Sequence, residues 1–270
     1  MNGAKIRLSK LFPENNNTVI VAIDHGQTFG PPEGITPFQQ AAEKLRQANG
    51  VLLSPHMIQH SGQLFHGANT PMIISRLNWN TIHCEPWHYH TANIVRTVSV
   101  QNAVRAGAEI VLASLTLKTG DEAHDARNVQ TFSQSVEEAY DLGIPLIGEV
   151  FAAGGLREYP EEFHDYIKKM CRIIAELGAQ AVKTFYTGPR FAEVIEGTPI
   201  PIFALGAEKL KSEVDALQLA QRAIEAGARG VVFGRNVVQA QNPEKFLAAL
   251  RDVIQGKAAP EEAAINYHLL

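Results

Sequence analysis

The sequence predicts a (β/α)₈ barrel of the TIM-barrel class, and three observations predict it. Eight short apolar runs recur along the chain, amphipathic segments separate them, and several of those segments stop at a glycine. The runs are Thr18–Asp24, Gly50–Ser54, Pro71–Arg76, Glu109–Leu115, Ile144–Phe151, Ala181–Tyr186, Ile200–Gly206 and Gly230–Gly234. Each is apolar nearly throughout, as expected of parallel strands buried on both faces. A length of 270 residues suits one such barrel with a well-buried core. The rival architecture, an open doubly wound sheet, lacks support because no Gly-x-Gly-x-x-Gly follows the first run.

The intervening segments carry helical periodicity over Pro37–Ala48, Ile94–Ala106, Val129–Leu142, Glu161–Leu177, Ser212–Ala226 and Pro243–Ile254. Gly107, Gly143, Gly178 and Gly227 close four of them, where a left-handed residue turns the chain toward the next strand. His56–Gly67 reads as a polar, His-bearing helix or loop, and Asn78–Thr91 as an aromatic, His-rich connection. No linker divides the chain, so residues 1–270 are expected to form one domain, with 258–270 as a C-terminal tail suited to assembly.

Composition excludes several classes. A formal net charge of -4, with no basic stripe, gives no footprint for nucleic acid. The opening MNGAKIRLSKLFPENNN holds no apolar leader core, and no run approaches membrane-spanning length. Cys84 and Cys171 lie far apart, so a disulfide framework is not expected and a cytoplasmic setting is.

In such a barrel the reactive groups gather where the strands end. Asp24, followed by His25, ends the first run and Arg76 the third; Glu149 lies late in the fifth and Lys183 within the sixth. Lys183 is the sharpest of these, because Ala181, Val182, Thr184 and Phe185 place it in a buried strand. A lysine in a core must be paired or lose its charge. A neutral amine attacks a carbonyl to form an imine, whose protonated form is an electron sink for carbon–carbon chemistry. The alternative is a structural lysine paired with Asp24 or Glu149. Gly206 and Ala207 end the seventh run and Gly234 and Arg235 the eighth, the usual phosphate-binding position of these barrels. Glycines there admit backbone N–H groups to phosphate oxygens, and Arg235 adds charge.

The segments IDHG (Ile23–Gly26), VKTFYTG (Val182–Gly188), ALGA (Ala204–Ala207) and VVFGRNVVQ (Val231–Gln239) resemble the archaeal-type class I fructose-bisphosphate aldolases. SVQNAVRAGAEIV (Ser99–Val111) extends the likeness, which runs from Val19 to about Leu250. That family includes aldolase/transaldolases of shikimate-pathway precursors and the thiolase of phosphorylated autoinducer-2. The resemblance implies a metal-independent lyase with Lys183 as its Schiff-base lysine and no cofactor beyond the covalent imine. It implies Asp24 as the carboxylate assisting proton transfer, and Gly206, Ala207, Gly234 and Arg235 as phosphate contacts. His25 and Arg76 complete the expected substrate-binding set.

Two departures stand out. Ala207 occupies a position where the family carries glycine. Phe151-Ala152-Ala153-Gly154 stands where the aldolases carry Tyr-Pro-Arg-Gly, and a phenylalanine has no hydroxyl to move a proton. Glu149, two residues earlier and on the same strand face, is the expected replacement or else the ion-pair partner of Lys183. Tyr186 and His25 are weaker substitutes. The resemblance implies that the thiolase branch also lacks that tyrosine, which keeps acyl transfer from a phosphorylated diketone to coenzyme A as an alternative. A phosphosugar-binding barrel without catalysis is a further alternative, opposed by the retention of both Asp24 and Lys183 in a core.

His83, Cys84, His88 and His90 are metal-ligand types, but their spacing matches no closed site. No metal is expected; the stretch reads as a substrate-facing loop, with Trp87 and Tyr89 suited to a lid or a subunit contact. The expected partners are a phosphorylated small molecule and further copies of the chain, with neither nucleic acid nor membrane.

Overall fold

A computed structural model describes residues 2–12, 16–84, 87–89, 91–152 and 155–269. The strands in chain order are β1 (Thr18–Ala22), β2 (Gly50–Leu53), β3 (Met72–Arg76), β4 (Asn78–Asn80) and β5 (Ile94–Arg96). They continue with β6 (Ile110–Leu115), β7 (Leu146–Val150), β8 (Ala181–Phe185), β9 (Ile202–Leu205) and β10 (Gly230–Phe233). All but β4 and β5 pair in parallel and close into a barrel in the order β1-β10-β9-β8-β7-β6-β3-β2. This is the predicted (β/α)₈ barrel, and every predicted run meets its strand to within two residues at either end.

The alternation of side chains along each strand sorts the interior into layers. Ile20, Leu52, Ile74, Leu112, Ile147, Ala181, Phe203 and Val232 fill the lower barrel. Leu11 closes its floor with Phe12, whose ring stacks on Phe203 at 5.8 Å. Complete burial of a Leu, Ile or Phe side chain contributes roughly 1.5–3 kcal/mol relative to exposure, so this floor supports what stands above it. Two residues further along the same inward rows come Arg76, Glu149 and Lys183, and four residues past Ile20 comes Asp24. The polar layer is therefore a continuation of the apolar one, raised to the C-terminal mouth.

The outer elements differ from expectation in instructive places. The helix predicted over Ile94–Ala106 is only Val100–Arg105, N-capped by the Ser99 side chain, which accepts from Asn102 N at 3.1 Å. Ile94–Arg96 instead forms β5, antiparallel to β4. Its β-branched Ile94 and Val95 suit a pleated strand, and the hairpin supplies the backbone partners that a helix would have supplied internally. The predicted helix at Pro37–Ala48 shortens to Phe38–Glu43, and that at Val129–Leu142 lengthens to Glu122–Asp141 because Asp121 caps it, accepting from Ala123 N and His124 N. Gly107, Gly143, Gly178 and Gly227 all adopt positive φ, as their place at helix ends requires. The tail folds back as the helix Pro260–Asn266, with Ala263 and Ala264 fully buried against the barrel's outer helices.

Candidate active site

Strand register brings the two central groups together: Glu149 on β7 is the partner of Lys183 on β8. Lys183 Nζ lies 2.5 Å from Glu149 Oε1. Arg76 donates from Nη1 to Glu149 Oε2 at 2.8 Å and from Nη2 to Oε1 at 3.2 Å, and from Nε to Asp24 Oδ2. All four residues are at most 7% exposed. Charges this deep persist only when paired, because the cost of desolvating one alone is several kcal/mol. Two cations face two anions, and the network balances within itself.

Burial opposes ionisation of both carboxylates, but Arg76 and Lys183 outweigh it. Asp24 is held below its ordinary carboxylate value and Glu149 well below. Burial likewise opposes the charge on Arg76, and the two carboxylates more than restore it. Glu149, with both oxygens engaged, stands as the ion-pair partner of Lys183 and Arg76. Arg76, expected among the substrate contacts, lies between the carboxylates.

A second group forms the opposite wall, beyond β9, β10 and β1. Asn236 donates from Nδ2 to the Gly206 carbonyl at 2.9 Å and to the Glu208 carbonyl at 3.1 Å, and accepts from Leu210 N at 2.9 Å. It thereby pins the turn after β9 to the turn after β10. Gly206 is required by close approach, since a Cβ there would meet Phe233 at 2.7 Å and Asn236 Nδ2 at 3.0 Å. A Cβ on Gly234 would overlap the His25 ring and stand 2.8 Å from the Ala22 carbonyl. Ala207 carries the left-handed φ of 49°, a conformation that costs a non-glycine residue roughly 1 kcal/mol.

One cavity joins these walls, lined by Asp24, His25, Arg76, Glu149, Lys183, Gly206, Ala207, Gly234 and Arg235, so every expected site residue meets there. His83, Phe151, Arg157, Phe185 and Glu208 line it as well. The His83 ring meets Phe151 edge-on, with centroids 4.4 Å apart, and its Nε2 is buried 3.8 Å from Glu149 Oε2. Burial, reinforced by Arg76 and Lys183, lowers His83 to about 4. Burial also lowers His25 to about 4. Arg157 spans the rim, over the Phe185 ring at 4.9 Å and paired through both terminal nitrogens with Glu208 at 2.9 and 3.1 Å.

His83, Arg157 and Glu208 carried no catalytic signal in the sequence. Tyr186 packs on Phe191 at 5.3 Å and is not among the cavity residues. Tyr166 donates to the Phe151 carbonyl at 3.2 Å from behind the wall, and burial raises it to about 12. The metal-ligand types diverge: His83 faces the cavity, Cys84 is buried near the Asn80 carbonyl at 3.8 Å, and His88 is exposed. His90, like Ala153 and Gly154, lies outside the described residues. Among the described residues no group of three or more His, Cys, Asp or Glu could hold a metal, and no helix is long and apolar enough to cross a membrane.

Residues 18–240 match the DeoC/LacD family aldolases. The chain belongs to that family. An uncharacterized aldolase of Saccharolobus solfataricus is 31% identical over 97% of this chain and 98% of its own length. A 3-hydroxy-5-phosphonooxypentane-2,4-dione thiolase of Yersinia pestis is 30% identical over 99% of this chain and 86% of its own. Among solved structures, an archaeal fructose 1,6-bisphosphate aldolase superposes with a TM-score of 0.79 at 25% identity, covering 93% of this chain and 98% of that one. Another, whose catalytic lysine is covalently bound to the carbinolamine intermediate, gives 0.78 at 25% identity over 93% and 99%. By family and by fold, this DeoC/LacD member is a lyase of the class I, Schiff-base aldolases.

Proposed function

We propose that the enzyme condenses Lys183 with the carbonyl of a phosphorylated ketose or related keto compound, with no cofactor. The carbon–carbon bond one carbon removed from the imine then breaks or forms. The observation that carries this reading is the position of Lys183: an amine 2.5 Å from a carboxylate, on the wall of the cavity of a Schiff-base aldolase barrel. Glu149 Oε1, 2.5 Å from Lys183 Nζ, holds that nitrogen in place for attack on the carbonyl. Asp24, fixed by Arg76, holds negative charge beside the iminium. Gly206, Ala207, Gly234 and Arg235 form the phosphate end, through backbone N–H groups and one guanidinium.

Reduction with borohydride in the presence of dihydroxyacetone phosphate is expected to add the reduced substrate's mass to the peptide containing Lys183. A Lys183→Met variant is expected to lose both trapping and turnover; turnover that survives it overturns the reading.

A second reading has its own support. The thiolase resemblance spans 99% of the chain, and Phe151 brings no hydroxyl to the wall. Acyl transfer to coenzyme A would use the same imine, and product analysis with and without coenzyme A separates the two reactions. The reading extends to a one-domain cytoplasmic enzyme assembled from several copies, in keeping with free Cys84 and Cys171 and with exposed Trp87 and Tyr89.

A further inference from the structure

Imine chemistry needs a group that takes a proton from the substrate and gives it back. The cavity's carboxylates are poorly suited to it. Asp24 and Glu149 are held ionised by Arg76 and Lys183, and Glu208 is engaged at both oxygens by Arg157. The guanidiniums of Arg76, Arg157 and Arg235 do not give up protons. The Thr28 hydroxyl donates to the His25 carbonyl at 3.1 Å, and among the described cavity residues this leaves two imidazoles. His25 packs against Gly234, at the phosphate end. His83 stands at the other end, against Phe151, and shares Glu149 with Lys183.

We propose that His83 is the catalytic proton-transfer residue of this active site. The assignment rests on Lys183 forming the imine.

The fold takes trouble to deliver this side chain. Asn78 on β4 donates to the Ser114 carbonyl at 2.8 Å and accepts from Ser114 N at 2.9 Å, which ties the hairpin to β6. Asn80 donates to Thr116 Oγ1 at 3.1 Å and accepts from Ile82 N at 3.1 Å, capping the turn Thr81–His83. These bonds, three of them fully buried, fix the turn over the barrel mouth. The Nε2 of His83 has no hydrogen-bond partner among the described residues, and a buried polar atom left so needs an explanation.

The charges explain why the imidazole works at the right moment. Burial, with the positive charges of Arg76 and Lys183, keeps the imidazole neutral and ready to accept a proton, and Glu149 and Asp24 facing it favour the cation once it forms. In the ketimine the imidazole removes the proton on the carbon next to the iminium carbon. The C–H pair becomes the enamine double bond, and the C=N π pair returns to the Lys183 nitrogen. That nitrogen loses its charge as His83 gains one, so the cation moves across the Glu149 carboxylate without a change in total. In the cleavage direction the imidazole takes the substrate's hydroxyl proton, the carbon–carbon bond breaks, and an aldehyde and the enamine result. The imidazolium then protonates the enamine carbon. Water released on forming the imine is consumed on hydrolysing it, and no further reactant is needed.

The test separates imine formation from proton transfer. Full-length wild type, His83→Gln and His83→Asn are incubated with dihydroxyacetone phosphate. Borohydride trapping at Lys183 is measured beside deuterium exchange at the carbon α to the carbonyl, and exchange is expressed per trapped site. Trapping in both variants is expected within a few-fold of wild type, with exchange lowered roughly 10²–10⁴-fold. Exchange retained in the variants overturns the proposal. Trapping lost in both variants while wild type traps also overturns it, because His83 would then serve the imine or the fold. Absence of trapping in wild type overturns the imine reading itself, a distinguishable failure.

Discussion

The two walls of the cavity are built on opposite principles. On the side of β3, β7 and β8, three charged side chains and one imidazole, joined by Asp24 reaching in from the end of β1, occupy a layer almost closed to water. On the side of β9, β10 and β1, the working surface is mostly backbone, kept bare by Gly206 and Gly234 and pinned by Asn236. The first wall is decided by what its side chains carry, and the second by side chains that are absent. A buried charged network tolerates little loss, since each removal leaves its partner uncompensated. A backbone wall is instead sensitive to added volume and to φ.

The sharpest way to break this contrast is to remove the hub of the charged wall. Arg76→Met leaves Asp24 and Glu149 without their guanidinium, and a loss of about 3–5 kcal/mol in urea-unfolding stability is expected. A loss below 1 kcal/mol would mean that the network is not the integrated unit described. Next in size, taken group by group, is the response to acid. His25 and His83 are each lowered to about 4 from the ordinary 6.5. Between those values the unfolded chain binds protons that the folded chain refuses, so stability falls as pH drops from about 6.5 toward 4. The loss is of order 3 kcal/mol per histidine, and Asp24 and Glu149 extend it below the usual carboxylate range. The midpoint of urea unfolding followed from pH 7 to pH 4 reads this slope, and His83→Gln should flatten it. The smallest effect belongs to the backbone wall. Ala207→Gly removes the penalty of a left-handed alanine and is expected to stabilise by about 0.5–1 kcal/mol; destabilisation would show that the methyl is packed to advantage.

The same contrast marks what could be read in advance. Asp24, Glu149 and Lys183 were legible because a strand's period of two turns position directly into direction: once Ile147 and Ala181 face inward, so do Glu149 and Lys183. Gly206, Ala207, Gly234 and Arg235 were legible from their place at strand ends. His83 was visible only as a possible metal ligand, because its aim depends on a hairpin whose second strand, Ile94–Arg96, carries the periodicity of a helix. The role of Arg76 was likewise out of reach, since three of its hydrogen bonds go to residues 52 and 73 positions away.

The sequence by itself determined the barrel, its inward rows and the lysine at their summit, because local periodicity and burial are written in adjacent residues. Only the tertiary structure decided which carboxylate holds that lysine, which arginine binds both carboxylates, and which imidazole stands free to move a proton. Those outcomes depend on distances between separate strands and on the exclusion of water, and neither quantity exists until the barrel has closed.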